Sequence, residues 1–173
     1  MVVVDSLLII ILAICVFTDL KSRKIYNAVT LPGTVIGFML QSAAGGFPGF
    51  VDGVLGFAVG FGILLIPYLL GGMGAGDVKL LGLVGAFKGV TFVLLASVYM
   101  ALIGGVIALA LLLLRKGVIE RLKQVVYSVV LLRYGMKISS AMKDDALTAA
   151  FPYGVAIAGG AVLSLWLRGW GII

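Results

Sequence analysis

Long apolar runs separated by short polar breaks dominate the chain. They fall at Val2–Phe17, Ala28–Ala44, Gly53–Leu70, Val78–Phe87, Val90–Leu114 and Ala146–Trp166. Within each run apolar residues follow one another instead of alternating with polar ones, which predicts buried helices and not barrel strands. Several runs approach the ~20 residues that a helix needs to cross a bilayer. The fourth does not. At about 1.5 Å per residue it covers roughly 15 Å, near half of a hydrocarbon core. It therefore either dips in and returns, or crosses with help from its flanks.

The basic residues decide between these. If all six runs cross and the first loop is cytoplasmic, that side holds Lys21, Arg23, Lys24, Lys79, Arg115, Lys116, Arg121, Lys123, Arg133, Lys137 and Lys143, with only Lys88 and Arg168 outside. If the fourth run does not cross, the two sides become nearly even. The positive-inside bias favours six crossings, both termini outside the cytoplasm, and a fourth helix that starts near Ala75 with Lys88 snorkelling. Between the fifth and sixth runs, Val118, Leu122, Val125, Val129 and Leu132 share one helical face, opposite Glu120, Arg121, Lys123 and Gln124. That pattern predicts an interfacial amphipathic helix, structural in role or a ledge for substrate. The expected fold is an all-α polytopic membrane protein, six transmembrane helices plus this cytoplasmic interfacial helix, with residues 1–173 forming one embedded domain.

Composition supports the membrane reading, with 62% hydrophobic and 12% charged residues. Met1 to Phe17 lacks a basic n-region and carries Asp5, so it reads as a retained span and not a signal peptide. The net charge of +6 fits loop bias and attraction to anionic lipid head groups better than nucleic acid. The chain has one cysteine, Cys15, and no histidine. Cys/His zinc sites and Ser-His or Cys-His nucleophile pairs are thereby excluded, and no metal or cofactor is expected. Chemistry falls to Asp, Glu, Lys, Tyr, Ser or Thr.

Of the seven acids, five have plain structural readings. Asp5 and Asp52 lie at outer span ends, Glu120 on the polar face of the amphipathic helix, and Asp144 and Asp145 where they would cap the last helix. Asp19 and Asp77 differ. Asp19 follows the first span and Asp77 opens the fourth, so both reach the cytoplasmic boundary at similar depth. An acid there faces protein or water, because facing lipid is costly. Salt bridging of Asp19 to Lys21 or Arg23, and helix capping by Asp77, compete with a shared active site. Asp77 also follows Gly72, Gly74 and Gly76, which admit unusual backbone angles or the close approach of another chain. The stretch has no Gly-Lys-Ser/Thr, and GxGxxG spacing fails at Lys79, so it is no phosphate loop.

"GAGD", "DLKSRKIYN" and "PYGVAI" together resemble the type IV prepilin peptidase family of GxGD intramembrane aspartic proteases. The resemblance runs from Asp19 to Ile157. Asp19, Ile25 and Asn27 match the first motif, with Tyr26 where proline is usual. Gly74, Gly76, Asp77, Lys79 and Leu80 match the second. Pro152, Tyr153, Gly154, Ala156 and Ile157 match the third, with Val155 where proline is common. The resemblance implies that Asp19 and Asp77 are catalytic. It makes Gly74, Gly76, Lys79, Asn27, Pro152, Tyr153 and Gly154 candidates for binding substrate or shaping loops. Larger members carry an N-terminal segment with paired cysteines linked to N-methylation of the cleaved pilin. Without it, the chain is similar to the short, peptidase-only branch, such as the Flp/Tad pilus enzymes.

The implied reaction is removal of a short basic leader from a prepilin at the cytoplasmic face of the inner membrane. One carboxylate would activate water and the other protonate the carbonyl oxygen. Three rivals remain open at this point. A transporter would use the two acids to carry protons or cations, though such acids usually lie near the midplane. A non-catalytic scaffold would exploit the glycine-rich spans, and a presenilin-like protease shares GxGD. Oligomeric state is left open.

Overall fold

The computed structural model describes residues 2–114 and 153–169. The amphipathic stretch Val118–Leu132, the acids Glu120, Asp144 and Asp145, and Pro152 lie outside the described residues. The described elements are all helices: α1 Val2–Ser22, α2 Asn27–Leu69, α3 Ala75–Leu114 and α4 Tyr153–Gly169. α1, α2 and α3 are each long and apolar enough to cross a membrane, while α4 is a shorter apolar helix. The chain forms two compact units, Met1–Gly104 with Pro152–Ile173, and Gly105–Phe151. The described part of the second, residues 105–114, is the helical end of α3.

α2 and α3 are each two helical arms joined at a glycine. Gly46 takes φ 60°, ψ −145°, and Gly89 takes φ 79°, ψ −176°. A side chain would be strained in either place. At Gly46 the chain folds back on itself. Phe38 and Phe57 stack edge to face with ring centroids 5.9 Å apart, whereas on a straight helix they would lie roughly 28 Å apart. Pro48 falls in the first turn of the second arm, where the missing N–H costs no hydrogen bond. Gly89 has the same effect: both Leu81 and Val93, from opposite arms of α3, meet Gly60 of α2.

The short fourth run, whose length alone allowed two readings, is the centre of the bundle. Val78, Leu80, Leu81, Leu83, Val84 and Phe87 are all buried, and they pack against Leu8, Ile11, Leu12 and Cys15 of α1 and Ile157 and Ala161 of α4. A helix apolar on every side needs neighbours on every side, and the first arm of α3 has them. On its α2 side the approach is backbone to backbone, since a Cβ at Gly56 would collide with the carbonyl of Gly85, and one at Gly85 with Gly56. The helix does begin at Ala75, where the charge bias put it.

Lys88 behaves differently from the snorkelling expectation. Its ammonium pairs with Asp5 Oδ1 and is itself largely buried, because a paired charge can stay inside where a lone one cannot. Nearby, Asp52 Oδ1 accepts the N–H of Val90 at 3.2 Å and so caps the second arm of α3 after the Gly89 break. Asp5 and Asp52 thus have the structural roles read from sequence. They gather at the end of the bundle opposite Asp19 and Asp77.

Candidate active site

α1 ends at Ser22, and Arg23 follows in the left-handed region with φ 53°. The Arg23 N–H donates to the carbonyl of Asp19 at 2.7 Å, the single-bond form of a left-handed helix cap. Asp19 therefore lies in the last turn of α1, its backbone closing the helix. Its carboxylate leaves the helix and meets α4, where the Gly154 N–H donates to Oδ2 at 3.2 Å. The first turn of a helix presents N–H groups without intrahelical partners, and a carboxylate suits that position. Gly154 is glycine for a steric reason: a Cβ there would stand 2.7 Å from Asp19 Oδ2 and 3.2 Å from Cγ.

The glycines before Asp77 have separate tasks. Gly71, which sequence reasoning passed over, takes φ 76°. Its N–H reaches the carbonyl of Tyr68 at 2.9 Å, and the Gly72 N–H reaches that of Pro67 at 3.0 Å. This pair of bonds is a Schellman motif that ends α2. Gly74 is the N-cap of α3: its carbonyl accepts the Asp77 N–H at 3.2 Å, and its own N–H donates to Asp77 Oδ2 at 3.2 Å. An acid three residues into a helix that binds back to the N-cap N–H is half of a capping box. Asp77 is buried, 8% exposed, and that bond satisfies one of its oxygens. The space over Gly76 is filled from within the chain, since a Cβ would lie 2.8 Å from that of Ile25. At Gly76 the chain's own α1–α2 loop makes the close approach that glycine allows.

The two acids line one cavity of 370 Å³, whose wall comprises Asp19, Arg23, Lys24, Ile25, Tyr26, Asn27, Gly74, Ala75, Gly76 and Asp77. The capping role read for Asp77 is present, and it coexists with a place beside Asp19. The salt bridge read for Asp19 is not: among the described residues neither Lys21 nor Arg23 forms an ion pair with it. Lys79 does not line the cavity but meets its wall at Asn27, donating from Nζ to Asn27 Oδ1 at 2.8 Å. Tyr153 begins α4 and is half-buried. Arg23, Lys24 and Tyr26 are wall residues that the sequence analysis quoted without assigning to a site.

Tyr26 explains how the usual proline is dispensed with. It is the N-cap of α2 with φ −80°, ψ 132°, an angle that proline locks near −65°. Its N–H is not among the loop's hydrogen-bond donors. Tyr26→Pro is therefore expected to stabilise the chain by about 0.4–1 kcal/mol by restricting the unfolded state. Thermal unfolding in detergent should show a midpoint a few degrees higher; an unchanged or lower midpoint would mean that the tyrosine ring contributes packing.

Residues 6–109 match the type IV leader peptidase family. No curated protein matches the chain, and no solved structure matches it.

Proposed function

The chain belongs to the type IV leader peptidase family, and we propose that it removes the leader of a prepilin-like substrate with Asp19 and Asp77 as its catalytic acids. The observation that carries this reading is the cavity shared by two carboxylates from helices far apart in sequence. Each has one oxygen held by a backbone N–H, from Gly154 and Gly74 respectively, and each lines the shared cavity. Two carboxylates in one small site disfavour double ionisation and share a proton. The ionised member takes a proton from water as it attacks the scissile carbonyl, and the protonated member donates to the carbonyl oxygen. The transporter rival is disfavoured by position, because both acids lie at one end of the bundle and not at its middle.

The arms of α2 and α3 support six crossings, with the breaks at Gly46 and Gly89 at one membrane face and the cavity at the other. The cavity face then carries Lys21, Arg23, Lys24 and Lys79, the arrangement of a cytoplasmic side. On a Cys15→Ser background, a cysteine at Lys24 should resist a membrane-impermeant maleimide added to intact cells, and one at Phe47, 77% exposed, should react. The reverse pattern would overturn the orientation. The function itself is tested by co-expression with leader-bearing prepilins. A leader-sized mass loss is expected, and unchanged masses across the set would refute the peptidase reading.

A further inference from the structure

The cavity needs its two acids held in register, yet they arrive on α1 and α3, with all of α2 between them in the chain. Residues 23–26 link α1 to α2 and form one wall; Gly74 to Asp77 form the other. Two contacts fasten these walls. Ile25 fills the space above Gly76, and Lys79 Nζ donates to Asn27 Oδ1 at 2.8 Å. Lysine only donates, so the Asn27 amide must present its oxygen. Lys79 lies two residues beyond Asp77, on another side of the helix, and does not itself line the cavity. Asn27 is the first residue of α2, immediately after the loop. An ammonium at this boundary would ordinarily extend to water or lipid phosphate; here it is spent on a neutral amide across the chain. A neutral amide gives an ammonium little charge stabilisation, so the bond is better explained by where it holds the loop.

We propose that the Lys79–Asn27 hydrogen bond is a clasp that positions the α1–α2 loop against the start of α3 and thereby fixes the separation of Asp19 and Asp77. Both are positioning residues, acting through the backbone that carries the acids. The proposal rests on the peptidase reading for its kinetic consequence but not for its structural one.

Two measurements test it. Cysteines at Lys24 and Ala75, both exposed and on opposite cavity walls, carry spin labels on a Cys15→Ser background. Lys79→Met and Asn27→Leu should each broaden the distance distribution, and the double variant should broaden it no further. An unchanged distribution would overturn the clasp. For kinetics, the probe is a reporter with a Lys/Arg-rich leader, a glycine and an apolar helix. Lys79→Met and Asn27→Leu should lower kcat roughly ten- to a hundred-fold, the scale expected for small misplacement of reacting groups, with KM little changed. Asn27→Asp, which keeps an oxygen opposite Lys79, should recover most of the rate. An effect confined to KM, or a rate that Asn27→Asp leaves as low as Asn27→Leu does, would refute positioning. If the wild-type chain leaves every prepilin and the reporter whole, the peptidase reading fails, and the clasp is still decided by the spin-label distances.

Discussion

Asp19→Asn and Asp77→Asn chains are expected to insert into the membrane and leave prepilin uncut, each as completely as the double variant. Asparagine keeps the shape and still accepts from a backbone N–H, so the bonds from Gly154 and Gly74 survive. What is lost is the titratable proton. General acid–base catalysis contributes about 10²–10⁴-fold, and a pair that shares one proton fails when either member goes. The two losses should therefore be strongly non-additive, as for other residues that act as a unit. The readout is leader retention by mass, with membrane fractionation to show normal insertion. Asp5→Asn is the contrasting variant. It weakens the ion pair with Lys88 at the far end of the bundle, so it should lower stability and spare cleavage. Substantial cleavage by Asp19→Asn would refute the dyad.

The second large effect is expected from a methyl group. In Gly154→Ala the new Cβ would stand 2.7 Å from Asp19 Oδ2, with Cγ and Cβ of the same side chain at 3.2 and 3.3 Å. The carboxylate cannot hold its position, and rotating it away breaks the bond from the Gly154 N–H. Alanine is otherwise the best helix former and should favour the first turn of α4 over glycine by up to about 1 kcal/mol. The variant should thus fold at least comparably and cut at least a hundred-fold more slowly, the scale of a misplaced catalytic group. Cleavage near the wild-type rate would mean that the Asp19 carboxylate works in another rotamer and that Gly154 serves packing alone. The same substitution at Gly62, which has open space around it, is the matched control and should leave cleavage intact.

The apolar runs and the two unusual acids were legible because each depends on local pattern, and the helix start at Ala75 because the basic residues are distributed so unevenly along the chain. So was the boundary between the fourth and fifth runs, although nothing singled out Gly89 as the residue on which the chain turns. The function of the short fourth run was not legible. Uniform burial leaves no periodicity, so a central helix and a re-entrant one look alike in their apolar pattern, and only the basic residues around them tell the two apart. The fate of Lys88 depended on Asp5, far away in the chain and invisible to a local reading. The glycines before Asp77 were read as one feature when they are three: a helix end at Gly71 and Gly72, a cap at Gly74 and a loop contact at Gly76. Spacing alone could not separate them: the end of α2 is a local backbone motif closed on Tyr68 and Pro67, whereas the Ile25 contact at Gly76 is set by tertiary approach. Gly154 was found by resemblance, and only the coordinates show its N–H on Asp19.

The burial of residues 80–87 on every side also bears on how the protein is made. At roughly 20 Å the arm that holds them is shorter than the ~30 Å hydrocarbon layer, and in the six-crossing arrangement it opens with Asp77 and closes with Lys88. Leaving the translocon alone, it would carry a charge towards each interface and offer lipid a helix built for protein neighbours. It is better delivered as half of a pair, held back until residues 90–114 emerge and partition with it. In that arrangement biogenesis would be sensitive at a distance, with the apolar length of the later arm bearing on whether the acid-bearing one is committed to the bilayer.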